Sequence, residues 1–301
     1  MSIARGFVLV VGLLPCVAAC RDTPEAKAAQ ARAAAATRSQ ELARRIAIAD
    51  ANPAKGLPVA MWLMPPDLRE ISGLALTPDG RVLTHDDNIG KIYEIDPKTG
   101  IVLKSFALSG DPHGDFEAIT IAGEDIYLLQ SKGKLFKFKE GADGAQVPYS
   151  VYDTRLGKEC EFESLTYEAD SSRLLMACKR FLSKKAPHEL FIYRLPLPLS
   201  GSSKISTLTV PLAEVVGSNS WKNFHPSDIA IDPLTGNYVL IASHEKGLVV
   251  ITPDGEVVRS EPLPGEHNQG EGVTVTKDSI LIVSDEATNR PAAMTLYRWR
   301  P

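Results

Sequence analysis

A short apolar segment introduced by small or acidic residues recurs five times. The copies are Glu70-Ile71-Ser72-Gly73-Leu74-Ala75-Leu76, Asp115-Phe116-Glu117-Ala118-Ile119-Thr120-Ile121, Glu161-Phe162-Glu163-Ser164-Leu165-Thr166-Tyr167, Pro226-Ser227-Asp228-Ile229-Ala230-Ile231 and Gln269-Gly270-Glu271-Gly272-Val273-Thr274-Val275. Measured on the first apolar residue after the pair (Leu74, Ile119, Leu165, Ile229, Val273), the spacings are 45, 46, 64 and 44 residues. A turn and a second apolar run follow each copy (residues 81–84, 126–129, 174–177, 238–242 and 280–283), and then a third (91–95, 134–138, 190–195, 248–251 and 295–299). A fourth is visible at 101–108 and 257–263. Separators such as Pro78-Asp79-Gly80 and Asp232-Pro233-Leu234-Thr235-Gly236 are turn chemistry, in which Pro sets φ and Gly accepts positive φ. Helical periodicity is absent there.

Four antiparallel strands in about 45 residues is the size of a propeller blade. The pattern therefore predicts an all-β, five-bladed β-propeller over residues 57–301. The extra residues between the third and fourth copies (195–221) read as an elaborated outer strand and loop; a degenerate sixth blade is the alternative. Residues 57–64 precede the first copy and are expected to supply the outer strand of the last blade, closing the ring and removing its open edge.

Before the propeller the grammar changes twice. Residues 1–20 have the form of a secretion signal, with Arg5, an apolar run from Phe7 to Leu14 too short to span a bilayer, and Val17-Ala18-Ala19 before Cys20. Val-Ala-Ala-Cys resembles a bacterial lipobox, which implies acylation of Cys20; Arg21 after the cysteine points to the outer membrane of a Gram-negative envelope, facing the periplasm. Residues 21–56 are rich in Ala with scattered charges, a composition that favours helix but offers little to bury. They are read as a tether, partly helical or disordered, with a partner-binding helix as the alternative. The net charge of −4 and the lack of a basic stripe argue against nucleic acid as a partner.

Glu70-Ile-Ser-Gly-Leu-Ala, Gly90-Lys-Ile-Tyr-Glu-Ile-Asp, Asp115-Phe-Glu-Ala-Ile and the closing Ser284-Asp-Glu together resemble the SdiA-regulated family of bacterial envelope proteins, itself distantly similar to NHL-repeat propellers. The resemblance implies a five-bladed propeller with a bound calcium ion and no settled biochemical activity.

In a propeller the first strand of each blade lines the central channel, so equivalent positions converge on one axis. One such position holds Ser72, Glu117, Glu163, Ser227 and Glu271. Three carboxylates facing one another repel and raise one another's pKa. A hard cation resolves this, and an oxygen-rich donor set without a Cys or His pair at metal-binding spacing selects Ca2+. Glu117, Glu163 and Glu271 are the expected metal ligands; for any one of them alone, a hydrogen bond to a neighbouring blade is the competing role. A second ring, just after the second strand of each blade, holds Asp86, Ser131, Lys179, His244 and Asp285, with Asp87, Arg180 and Glu286 beside it. This ring, with His225 and with Asp228 as the fourth-blade replacement for the glutamate, forms a candidate pocket for a protein or small-molecule ligand. Its polarity is equally that of strand ends meeting water.

No Gly-x-Ser-x-Gly elbow and no phosphate-binding glycine loop occurs. The expected function is a lipid-anchored binding or scaffold module with calcium at its channel mouth. The alternative is a calcium-dependent hydrolase acting on an ester, lactone or phosphoester. Cys160 and Cys178 flank the hairpin turning at Asp170-Ser171-Ser172, which allows either a disulfide in an oxidising compartment or two buried thiols.

Overall fold

Side chains of successive strand residues point to opposite faces, and here both faces are buried. On the second strand of the fourth blade, Tyr238, Leu240 and Ala242 join one apolar cluster, and Val239 and Ile241 join another. Leu281 and Val283 likewise pack on one side of their strand and Ile282 on the other. Each sheet is thus sandwiched between two neighbours, which accounts for the continuous apolar runs. Five such clusters occupy the five seams between blades.

The computed structural model describes residues 23–52, 56–183, 188–201 and 204–300. Blade 1 runs outward through Ile71–Leu76, Val82–Asp86, Lys91–Asp96 and Ile101–Leu108, with Gln146–Val147 added in parallel at its edge. Blade 2 consists of Phe116–Ala122, Asp125–Gln130, Lys134–Lys139 and Tyr149–Asp153. In blade 3 the inner position is split between Cys160–Phe162 and Thr166–Glu168, both paired with Arg173–Phe181, followed by Glu189–Pro196 and Ser206–Pro211. Blade 4 has Asp228–Ile231, Tyr238–Ala242, Gly247–Ile251 and Val257–Pro262. Blade 5 has Gly270–Val275, Ile280–Asp285 and Ala293–Arg298, and Pro58–Leu63 as its outer strand. The inner strand of blade 1 contacts those of blades 2 and 5, and the remaining neighbours meet in order, so five blades close the ring. The insertion expected at 195–221 supplies the outer strand of blade 3 and a short helix, Leu212–Val216.

Within the Ala-rich stretch, Pro24–Ala51 forms one helix, α1, whose N-cap Thr23 accepts the Ala26 N–H at 3.2 Å. Leu42, Ile46 and Ala49 lie on one face at helical spacing and pack into the seam between blades 5 and 1. Burying a leucine stabilises by about 1.5–3 kcal/mol, more than the composition of this stretch promised. Arg298 Nε to Asp50 Oδ1 at 2.6 Å and Arg38 Nη1 to the Thr99 carbonyl at 3.0 Å fix both ends of the contact. The secretion signal and Cys20 lie outside the described residues. Among the described residues no helix is long and apolar enough to cross a membrane.

Candidate functional site

The face of the ring where inner strands begin and second strands end is shaped by β-bulges at one level. In blade 2, Phe116 pairs with Gln130 and Ala118 with Leu129, leaving Glu117 unpaired between them. Glu271 is left out in the same way in blade 5, between the pairs Gly270–Asp285 and Gly272–Ser284. In blade 3 the extra residue is on the second strand: Glu161 faces Arg180, Phe162 faces Cys178, and Lys179 is skipped. A bulge re-aims the residue it leaves unpaired, and here three bulged side chains turn into the channel.

Lys179 Nζ donates to Glu163 Oε1, and its charge also acts on Glu117 and Glu271. Burial pushes the Glu117 carboxyl up to about 9, reinforced by the charges of Glu163 and Asp115. Burial also raises Glu163, to about 7, against the pull of Lys179, and raises Glu271. Burial opposes the charge on Lys179, yet the carboxylates hold its pKa above the ordinary lysine value. The three expected metal ligands feel one another's charge and that of Lys179, which was assigned from sequence to the outer ring, but their oxygens do not all converge within 4.8 Å of one another. Glu163 Oε2 and Ser164 Oγ are buried without a hydrogen-bond partner.

Asp228 is buried at the axis, bonded to backbone N–H groups. It is 1% exposed and stands one residue further along, at the level of Gly73, Ala118, Ser164 and Gly272. Its oxygens accept the N–H groups of Ile229 at 2.8 Å and Val273 at 2.7 Å; those of Leu74 and Leu165 also face it. Burial raises its pKa and these N–H groups lower it. The inner strands crowd together at this level, where a Cβ on Gly73 would lie 2.8 Å from Ala118 Cα and one on Gly272 2.6 Å from the Ser72 carbonyl. Small residues in four blades thus make room for one carboxylate that closes the axis.

The outer ring separates into unlike parts. Asp86 caps a turn, accepting the Asn88 N–H at 2.9 Å and the Ile89 N–H at 3.1 Å. Asp285 pairs with buried His267, whose Nδ1 is 2.5 Å away and whose Nε2 is 2.9 Å from the Tyr297 hydroxyl; Asp285 Oδ1 is left without a partner. Glu286 joins Glu70 and Asp87, with one oxygen of each within 4.8 Å of the others. Burial first, then the neighbouring acids, lifts Asp87 to about 6 and Glu286 to about 8. His225 and His244 converge on Glu245 in blade 4. Cys160 and Cys178 are joined by a disulfide, with Cα atoms 5.8 Å apart. His267, Glu245 and the grouping of Glu70 with Asp87 were missed by the repeat alignment, which followed only the first strand and the end of the second. On the opposite face, a cavity of about 690 Å³ between α1 and the inner-strand turns is lined by Leu42, Ile46, Leu76, Ile121 and Ile280 with Asp79 and Asp278, and by none of Glu117, Glu163 and Glu271.

The model of the SdiA-regulated family matches residues 218–298. That match spans blades 4 and 5, and so carries Glu271, Asp285, Glu286 and the histidines of blade 4, while Glu117 and Glu163 lie before it. No curated protein matches the chain. Among solved structures, Myxococcus xanthus glutaminyl cyclase is similar at 11% identity and a TM-score of 0.53, over 80% of this chain and 95% of that one. The PQQ-bound aldose sugar dehydrogenase of Streptomyces coelicolor is similar at 14% identity and a TM-score of 0.52, over 79% of this chain and 97% of that one. At such identities the likeness concerns the fold alone.

Proposed function

We propose that this propeller is a lipid-anchored binding module of the bacterial envelope, held through Cys20 at the outer membrane and facing the periplasm, with Ca2+ bound by Glu117, Glu163 and Glu271 at the channel mouth. The observation that carries the reading is the charge balance: three largely buried carboxylates from three blades lie in the field of one ammonium, Lys179, which bonds Glu163 and acts on the other two through its charge. With all three ionised, as a bound cation requires, the remainder is two negative charges, the charge of one divalent ion. Glu163 Oε2 is a buried oxygen without a partner, a donor of the kind calcium takes in its six to eight oxygen ligands. Glu70, Asp87 and Glu286 extend the negative field beside it and draw cations towards the mouth. A protein or small-molecule ligand with an anionic group would dock on the calcium-loaded mouth.

Calorimetric titration of the metal-stripped chain with calcium tests this reading. Uptake of one equivalent, lost in a Glu117→Gln/Glu271→Gln variant, is the expected result; a wild-type chain that takes up no calcium removes it. Labelled palmitate entering the wild type but not a Cys20→Ala variant is expected for the anchor.

A further inference from the structure

Blade 4 contributes no glutamate to the channel mouth, and its corner of the same face carries a different set of donors. His225 lies just before the inner strand Asp228–Ile231, and His244 and Glu245 follow the second strand Tyr238–Ala242. The ladder between these two strands holds the loops side by side. Glu245 Oε1 is 2.7 Å from His225 Nδ1 and 3.1 Å from His244 Nδ1, and Oε2 accepts the His225 backbone N–H at 3.0 Å. One ligand atom from each of the three residues lies within 4.8 Å of the others.

We infer that His225, His244 and Glu245 form a transition-metal site, of the two-imidazole, one-carboxylate type suited to zinc, separate from the acidic channel mouth. Three features support it. First, the Glu245 side chain is only 5% exposed, so the carboxylate is anchored, whereas the His244 side chain is 82% exposed and packs only edge-to-face on the His225 ring, centroids 5.7 Å apart. The His244 ring points Nδ1 at the same oxygen that His225 addresses. Second, ligand atoms around a tetrahedral zinc with bonds of about 2.0–2.1 Å stand roughly 3.3 Å apart. The separations from Glu245 Oε1, 2.7 Å to His225 Nδ1 and 3.1 Å to His244 Nδ1, are shorter, so an ion enters by outward movement of both rings, the larger at His225. Third, the donors are nitrogen-rich, unlike the all-oxygen mouth, which separates the preferences of the two sites. Three protein ligands with one face towards water leave a coordination position for a water or a substrate group, as in catalytic rather than structural zinc sites.

Asn223 tunes this site. Its Oδ1 accepts the Phe224 N–H at 3.0 Å, which leaves its Nδ2 3.1 Å from His225 Nε2. The amide thus favours the imidazole tautomer with hydrogen on Nδ1, donated to Glu245. Metal binding through Nδ1 needs the hydrogen on Nε2 and an acceptor beside it, the usual outer partner of a ligating histidine. Asn223 is therefore a positioning residue that holds affinity down, and Asn223→Asp supplies the missing acceptor.

The test is titration of the metal-stripped full chain with zinc by calorimetry and with cobalt by visible absorption, both in excess calcium so that the acidic mouth is not the acceptor. One equivalent is expected, with a tetrahedral or five-coordinate cobalt spectrum. Binding should weaken roughly tenfold or more in His244→Ala and in Glu245→Gln, and tighten in Asn223→Asp. His244 is exposed, so its alanine variant is expected to fold, and the melting curve checks that. Absence of zinc binding to the wild type overturns the inference, as does binding that persists unchanged in His244→Ala or disappears in Glu117→Gln/Glu271→Gln. Because the calcium reading is probed by the other metal and the other variants, either can fail alone.

Discussion

The carboxylate of Asp228 on blade 4 accepts the backbone N–H of Val273 on blade 5 at 2.7 Å, bridging two inner strands at the axis of the ring. Truncation to Ala would leave the Val273 and Ile229 N–H groups buried and unpaired, at about 1–3 kcal/mol each. Asp228→Ala is therefore expected to lower the unfolding free energy by roughly 2–5 kcal/mol, and Asp228→Asn, which keeps one acceptor oxygen, by less. Urea unfolding of the variants measures both. Equal stability of Asp228→Ala and wild type would show that the axis is held by apolar packing alone.

His85, in the second strand of blade 1, is fully buried, and burial lowers its pKa to about 4. Unfolded, it titrates near 6.5. Below that pH the unfolded chain binds a proton that the folded chain refuses, so the contribution of His85 is intact above about 6.5 and is lost as pH falls towards 4. Relative to a His85→Gln variant, the wild type should lose about 1.4 kcal/mol of stability per pH unit across that window. Parallel pH–stability curves for the two proteins would place His85 in contact with water.

The carboxyls at the mouth work in the opposite sense. Glu117 titrates near 9 and Glu163 near 7 when folded, against about 4.3 for an unfolded glutamate. The folded state thus holds protons that the unfolded chain has already released, and stability without calcium falls as pH rises from about 4.5 towards 9. Calcium at the proposed site would replace those protons and is expected to flatten the decline; Glu117→Gln is expected to reduce it. Thermal melts across this range, with and without a chelator, read the slope directly. A calcium-free melting temperature that rises with pH would contradict the arrangement.

Cys160 and Cys178 close a loop with a sequence separation of 18. A loop of this length contributes about 3 kcal/mol through the unfolded chain. Reduction, or Cys178→Ser, should lower the urea midpoint accordingly. Both thiols becoming alkylated in unreduced, denatured protein would show that no bond had formed.

Sequence alone reached the blade number and the closing strand, because Leu74, Ile119, Leu165, Ile229 and Val273 recur at blade spacing and each blade needs the same apolar start. The same recurrence put Glu117, Glu163 and Glu271 at one aligned position. The position of Lys179 was not legible: a period-two reading cannot see a bulge, and the residue skipped between Arg180 and Cys178 changes side without any change in composition. Asp228, one residue beyond the aligned Ser227, was offered as a replacement for the missing glutamate; the strand crowding at Gly73 and Gly272 that surrounds it is not visible in sequence. The docking of α1 was hidden in an Ala-rich stretch, since three apolar residues over two turns, Leu42, Ile46 and Ala49, suffice to bury one face. Glu245 and His267 sit in loops that the repeat does not reach.

The strand Pro58–Leu63 hydrogen-bonds to Ala293–Arg298 and to no earlier part of the sheet. During synthesis it therefore waits for more than two hundred residues before its partner exists, and no intermediate chain length yields a complete ring. Closure of the ring therefore depends on one pairing between segments far apart in the chain. It also means that trimming a few residues past Ala293 would uncouple blade 5 from the first strand and expose two sheet edges at once.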